Sequence, residues 1–326
     1  MNDVVLLEHG SGANKTRELI SEYFVGKFNK EESADEDAAL IFDKKLAFST
    51  DSFIIEPEFF EGGNIGKLSV CGTANDLAVR GAKPMWFSAS YVISEGYPLD
   101  KLRQITDSMA GTAIDSNIKI VTGDTKVIPR SSFSGIIINT SGVGIIINET
   151  SINHIQDEDV IIISGSLGDH ATTIISQREG IYLDSEICSD CAVLYPMLED
   201  IIYNKESHFI RDLTRGGLTS VLYEISIATG FGIEINENSI PVKPAVRELS
   251  DIMGIDYLGM ANEGKVLLCV NQQYAEAVIS KLKAHKYGTD AAIIGIITKK
   301  HNRIILNTHD NQMKLLQETT NIPRIC

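Results

Sequence analysis

Four aspartates stand where a carboxylate can turn into a cleft. Asp37, Asp51, Asp76 and Asp124 each fall at or beside the end of an expected strand or helix, next to small residues. Carboxylates delivered from separate elements can share one or two Mg²⁺ ions and, through them, the phosphates of a nucleotide triphosphate. Aspartate also favours caps and turns, so placement by itself leaves both readings open. Three glycine-bearing turns precede helical patterns. His9-Gly10-Ser11-Gly12-Ala13-Asn14 could cradle phosphate through backbone N–H groups, although no Gly-Lys-Ser/Thr follows and it is not a Walker A loop. Asp212-Leu213-Thr214-Arg215-Gly216-Gly217-Leu218 carries both a carboxylate and a guanidinium, and Gly165-Ser166-Leu167-Gly168-Asp169-His170 follows a buried-type strand. Thiols are the other chemical resource. Cys188 and Cys191 have CxxC spacing, but no second ligand pair completes a zinc site, so they read as ordinary cysteines at a helix edge. Cys326 ends the chain behind Pro323, which keeps its predecessor extended. A thiol on such an arm can act as nucleophile or carrier, and Arg324 nearby favours the thiolate.

The elements that must position these groups follow from periodicity. Short strands are expected over 4–7, 37–42 and 46–51, the last two around a turn at 43–45. Helical spacing links Leu19, Ile20, Tyr23, Phe24 and Phe28, and a second helix runs from Gly62-Gly63 to about residue 78. A strand follows Pro84 over 86–93. A helix then carries Leu102, Ile105, Met109 and Ala113, a short strand at 118–121 runs into Gly123-Asp124-Thr125, and a long strand spans 136–147. After the polar break at 157–159 the pattern restarts. Strands are expected over 160–163, 266–270 and 293–297, and helices over 170–177, 191–203, 218–228 and 273–284. This predicts a mixed α and β chain in two halves, divided near residues 150–157.

Composition agrees with a globular chain. Its 326 residues are 43% hydrophobic and 22% charged, enough to bury a core. Lys plus Arg is 29 against Asp plus Glu at 44, a net charge of −15. That surface argues against nucleic-acid backbones and anionic membranes, while carboxylate-bound Mg²⁺ would still admit a nucleotide. No stretch is apolar over the roughly 18 residues a membrane span needs. The opening residues have no basic region, and the five cysteines form no even framework, so a cytoplasmic address is expected.

Taken in order, several motifs resemble the HypE family, the hydrogenase expression/formation proteins of the PurM-like ATP-binding superfamily. They are His9-Gly10-Ser11-Gly12, Asp37-Ala38-Ala39, Ser49-Thr50-Asp51-Ser52, Gly62-Gly63-Asn64-Ile65-Gly66, Gly72-Thr73-Ala74-Asn75-Asp76-Leu77, Gly81-Ala82-Lys83-Pro84 and Gly123-Asp124-Thr125-Lys126-Val127. Gly168-Asp169-His170, Thr214-Arg215-Gly216-Gly217-Leu218, Ala261-Asn262-Glu263-Gly264-Lys265 and the terminal Pro323-Arg324-Ile325-Cys326 continue the match. The chain departs from the family's usual glycine at Ala13 and at Ala171.

The resemblance implies a PurM-like two-domain fold. Residues 1–154 would form an N-terminal ATP-binding and dimerisation domain of α/β type, pairing with a second copy in an intersubunit β-barrel. Residues 155–318 would form a C-terminal α+β domain, and 319–326 a mobile tail carrying Cys326. It implies ATP and Mg²⁺ as cofactors, with Asp37, Asp51, Asp76 and Asp124 at the metal. Asn75, Thr125, Asp212, Gly10 and Gly12 would join the aspartates around the nucleotide. The implied reaction is ATP-dependent dehydration of a thiocarbamate on Cys326 to a thiocyanate, with Glu263 as base and Lys126 as its partner. The carbamoyl group would come from a HypF carbamoyltransferase, and the cyano group would pass to iron on a HypC–HypD complex. Two other PurM-like activities stay open, those of selenophosphate synthetase and thiamine-monophosphate kinase. The first keeps its reactive Cys or Sec near the N-terminus, whereas no cysteine precedes Cys71 here. A passive ATP-binding carrier of the carbamoyl group is the non-enzymatic reading.

Overall fold

In the computed structural model, residues 4–10, 14–24, 27, 36–310, 312–317 and 325 are described. Gly12, Ala13, Phe28, Arg324 and Cys326 lie outside them.

Alternating burial builds the first sheet. Its strands are β1 (Ala39–Ile41), β2 (Leu46–Phe53), β5 (Ala82–Ser94), β6 (Lys119–Ile128) and β7 (Ile136–Ile146), and a small ribbon joins β3 (Phe59–Phe60) to β4 (Gly63–Asn64). The order is β1-β2-β7-β5-β6, with β5 and β6 parallel and the other neighbours antiparallel. Along β2, Ala47, Ser49 and Phe53 are buried while Phe48, Thr50 and Ser52 face out, the period of a sheet covered on one side. The covering layer is helix α2 (Ile65–Val79), with α3 (Leu99–Asp115) beyond it; helix α1 (Asn14–Tyr23) precedes the sheet.

Almost every side of α2 is buried, so it has little amphipathic pattern and behaves as a core helix. Asn64 caps it, its Oδ1 accepting from the Gly66 and Lys67 N–H groups at 2.9 and 3.1 Å. Glycine sets its distance from the sheet. A Cβ at Gly142 on β7 would sit 2.8–2.9 Å from side-chain atoms of Phe87, Leu77 and Thr73. Across the same contact Thr73 Oγ1 lies 2.6 Å from Thr140 Oγ1, which donates to Ser69 O at 2.8 Å. The helix is thereby locked in register over β2 and β7.

The second sheet contains β8 (Val160–Ile163), β9 (Phe209–Asp212), β10 (Gly232–Asn236), β11 (Val266–Val270), β12 (Ala292–Thr298), β13 (Ile304–Asn307) and β14 (Met313–Leu315). The order is β14-β13-β10-β12-β8-β11-β9, antiparallel except for β10 with β13. Helices α4 (Asp169–Glu179), α5 (Tyr195–Tyr203), α6 (Gly217–Thr229), α7 (Pro244–Met253) and α8 (Ala275–Lys283) accompany it. Ile161, Ile163, Leu267 and Cys269 join one core cluster, and Val160, Ile162, Val266, Leu268 and Val270 another. These central strands are buried on both faces, which explains their unbroken apolar runs. Ala78 and Val79, at the end of α2, pack into the second of those clusters, so α2 reaches from one half into the other.

Several expectations change. Residues 4–6 form no strand; a 3-10 turn spans Leu7–Gly10, and the Leu6 N–H donates to His9 Nδ1 at 2.8 Å, which bends the chain there. The strand expected at 118–121 continues to Ile128 because parallel pairing with β5 persists to Ser94↔Ile128. Asp124, Thr125 and Lys126 therefore lie on a strand and not in a loop. The helix expected from 191 starts at Tyr195, where Pro196 sits in its first turn, leaving 191–194 non-helical. Strands β9, β10, β13 and β14 and helix α7 were not anticipated.

Gly142→Val is expected to destabilise the fold by about 1–3 kcal/mol, because the added side chain enters a filled contact between sheet and helix. Urea unfolding measures this; an unchanged midpoint would show that α2 and β7 can separate without penalty.

Candidate active site

Three carboxylates meet where the two halves join. Asp37 precedes β1, Asp76 stands near the end of α2, and Asp212 ends β9. Each offers an oxygen, and the three oxygens lie within 4.8 Å of one another. Asp212 is buried, and Asp37 and Asp76 are only partly exposed. Burial raises all three carboxyls above their ordinary range, Asp212 to about 6, and their mutual repulsion adds to the effect on Asp37 and Asp76. Compensation is partial. Arg211 places Nη1 3.2 Å from Asp37 Oδ1 and Nη2 2.8 Å from Glu224 Oε2, and Ser49 Oγ donates to Asp76 Oδ2 at 2.5 Å. An all-oxygen, carboxylate-rich donor set with this spare negative charge fits a hard divalent cation.

Asp51 lies two residues beyond Ser49 on the same face of β2, and its charge acts on both Asp76 and Asp212. Burial raises its own carboxyl, against the pull of Arg215. Arg215 reaches back to Gly10, whose carbonyl accepts from Nη1 at 3.5 Å, so the first and second glycine turns border the carboxylates together.

Glu263 is buried behind this cluster. Burial raises its carboxyl well above the usual range, and Cys191, Asp212, Asp190 and Asp51 add to the effect. Its loop is pinned on two sides. Asn262 accepts from Gly168 N–H at 2.8 Å and donates through Nδ2 to Leu213 O at 3.1 Å, next to Asp212. Asn75, beside Asp76, donates to Ala192 O at 3.0 Å and Glu263 O at 3.5 Å and accepts from Leu194 N–H at 2.9 Å. The Asn75 amide is thus occupied by backbone, a strut between the halves where the resemblance implied a nucleotide contact.

Other expected residues stand apart from the carboxylate trio. Asp124 and Lys126 are 60% and 66% exposed on β6 and pair with each other at 2.8 Å. Among the described residues Lys126 hydrogen-bonds Asp124 and not Glu263. Thr125, between them, is also exposed. The third glycine turn is closed, because Asp169 Oδ2 accepts from Ser166 Oγ at 2.8 Å and Lys243 Nζ at 2.6 Å. Cys188 is exposed while Cys191 is buried beside Cys71, so the CxxC thiols do not converge. Arg211, Glu224, Asp190 and Lys265 were missed as parts of the site. Arg211 and Glu224 sit one residue before Asp212 and on helix α6, and no motif marked them.

The end of the chain has a seat of its own. A cavity of about 1030 Å³ is lined by residues including Ile55, Pro57, Tyr97, Phe133, Arg178 and Ile325. Ile325 is 4% exposed there, and its carbonyl accepts from Arg178 Nη2 at 3.2 Å. The cavity opens just past the end of β2, the strand that carries Asp51.

Fold and site together define a two-domain ATP-binding class. Residues 35–146 match the N-terminal domain of AIR synthase related proteins and residues 156–307 their C-terminal domain, the PurM-like arrangement. "Carbamoyl dehydratase HypE" of Escherichia coli (strain K12) is 41% identical over 337 residues, covering 100% of both chains. A HypE chain solved in a HypE–HypF complex superposes with a TM-score of 0.89 at 43% identity, covering 92% of this chain and 99% of that one. HypE solved in complex with ATP gives 0.84 at 36% identity over 99% and 100%. The chain belongs to the HypE family of carbamoyl dehydratases.

A raised carboxyl costs stability once it ionises. Asp212's favourable contribution is complete below its ordinary range near 3.8 and is lost as pH rises through about 6. The loss is on the order of 2–3 kcal/mol. Urea unfolding in EDTA is expected to show stability falling between pH 4 and pH 7.5 in the wild type, and less steeply in Asp212→Asn. Equal slopes would mean that Asp212 is not a strained buried acid.

Proposed function

We propose that this carbamoyl dehydratase, an enzyme of hydrogenase maturation, works on its own terminal thiocarbamate at the cleft between Asp37, Asp76, Asp212 and Glu263. The observation that carries the reading is the convergence of three mutually repelling carboxylates from separate elements, with a buried fourth acid directly behind them.

A HypF carbamoyltransferase supplies the carbamoyl group, giving Cys326–S–C(=O)NH₂. The carbonyl oxygen attacks the γ-phosphorus of ATP, the bond to ADP breaks, and the nitrogen gives up one proton. The carbon–oxygen bond then breaks as phosphate leaves, the nitrogen loses its second proton, and Cys326–S–C≡N remains. Asp37, Asp76 and Asp212, with Asp51 beside them, would hold Mg²⁺, which supplies charge neutralisation for the transferred phosphoryl group. Glu263 takes a nitrogen proton, a role suited to a buried carboxylate whose affinity for protons is raised. Arg215 and the loop at Gly10 and Gly12 flank the phosphates. The cyano group then leaves for iron on a HypC–HypD complex. The seat of Ile325 supports a tail that docks just past the end of β2.

The working form is a cytoplasmic homodimer. No helix among the described residues is long and apolar enough to cross a membrane. Strand β6 is an unpaired edge, nearly all of it exposed, with Val121 at 60% and Val127 at 67%. Phe48, Trp86 and Ile145 are exposed on the open face of the same sheet. Such an edge and face invite a second sheet, and a two-fold pairing closes them as the intersubunit barrel. Asp124 and Lys126 would then act from this junction. The division into 1–154, 155–318 and a tail at 319–326 follows the same arrangement.

Cys326→Ala is expected to hydrolyse or bind ATP yet form no thiocyanate, read by intact mass after incubation with carbamoyltransferase, carbamoyl phosphate and ATP. Asp76→Asn should accept the carbamoyl group and stall there. A cyanated product from either variant would overturn the corresponding role. Val127→Lys should shift the dimer toward monomer in light scattering, and a persisting dimer would place the interface elsewhere.

A further inference from the structure

The segment freed from helix by Pro196 is pressed onto the Glu263 loop. Asp190 stands just before it, with its side chain 2% exposed. Its Oδ1 accepts from the Glu263 N–H at 3.0 Å. Its Oδ2 makes no hydrogen bond and faces Lys265 Nζ at 3.3 Å. Two residues on, the Ala192 N–H donates to Glu263 O at 3.2 Å. The approach requires glycine next door, since a Cβ at Gly264 would meet Asp190 O at 1.9 Å. Glu263 is thus gripped at both its N–H and its carbonyl by residues 190–192, and Asn75 ties that segment to the helix that carries Asp76.

We infer that Asp190 is a positioning residue for the dehydration, holding the Glu263 backbone in place through its N–H. This rests on the reading of Glu263 as the base. Asp190 divides its two oxygens, Oδ1 to the Glu263 N–H and Oδ2 to the Lys265 ammonium. The groups that act on Glu263 are Cys191, Asp212, Asp190 and Asp51.

The test uses the full-length carbamoylated chain with ATP and Mg²⁺, following conversion of the tail peptide from thiocarbamate to thiocyanate by mass across pH. Asp190→Ala is expected to slow conversion on the order of 10- to 100-fold, with the ATP concentration dependence nearly unchanged. Asp190→Asn keeps an acceptor for the Glu263 N–H. It should recover most of the rate. Asp190→Asn as slow as Asp190→Ala would reduce Asp190 to a structural role. Wild-type rates and profiles in both variants would overturn the assignment outright. Glu263→Gln separates the two layers: if it is inactive while both Asp190 variants are silent, only the Asp190 assignment fails. If Glu263→Gln itself converts at the wild-type rate, the base role fails and the positioning role with it.

Discussion

Like charges held together out of water are the constraint on which this molecule turns. Asp37, Asp76 and Asp212 bring their oxygens within 4.8 Å, and Arg211 answers only part of their charge. Carboxylates so placed would spread apart or stay protonated if their supports could move. The supports cannot move cheaply. Asp76 rides a helix buried on nearly every side, Asp212 ends a strand paired to β11, and Asp37 is gripped by Arg211. Stability is lost in exchange for a cluster whose donor set fits a hard divalent cation. That is electrostatic preorganisation set up before any ligand arrives.

Helix α2 is the beam that both halves share. Its register over the first sheet is set by Gly142 and the contact between Thr73 and Thr140. Its last turn enters the core of the second half through Ala78 and Val79. Neighbouring residues on it serve different ends, Asp76 toward the carboxylates and Asn75 toward the backbone of Ala192, Leu194 and Glu263. The metal-fitting cluster and the candidate base therefore hang on one rigid element. A shift of α2 by the width of a methyl group would misalign both at once.

The outer surfaces complete a division of labour. The site faces the junction of the two halves, the open sheet face and β6 edge are exposed, and the cavity past β2 receives Ile325. Each lies on the first sheet or its flanks.

Much of this was legible from residue order alone. Glycine-flanked aspartates, the Asn75-Asp76 pair and the Ala261–Lys265 run identify a family whose site recurs at matching positions, and buried strands such as 160–163 announce themselves by unbroken β-branched runs. Their chemistry is local and travels with the motif. Asp37, Asp76 and Asp212 could be nominated singly in this way. What only the tertiary structure decided is which nominees meet. Asp124 and Lys126 look equivalent to the others in sequence, yet parallel pairing with β5 carries them onto an exposed edge. Asn75 reads as a ligand by motif, and packing gives it hydrogen bonds to the backbone of Ala192, Glu263 and Leu194. Asp190 lies just before a segment expected as helix, and becomes a partner of Glu263 because that helix starts only at Tyr195 and Gly264 allows close approach. Periodicity reports which face of an element is wet or dry. It carries no information about contacts across nearly two hundred residues of chain, and those are fixed only when the two sheets and α2 pack as one body.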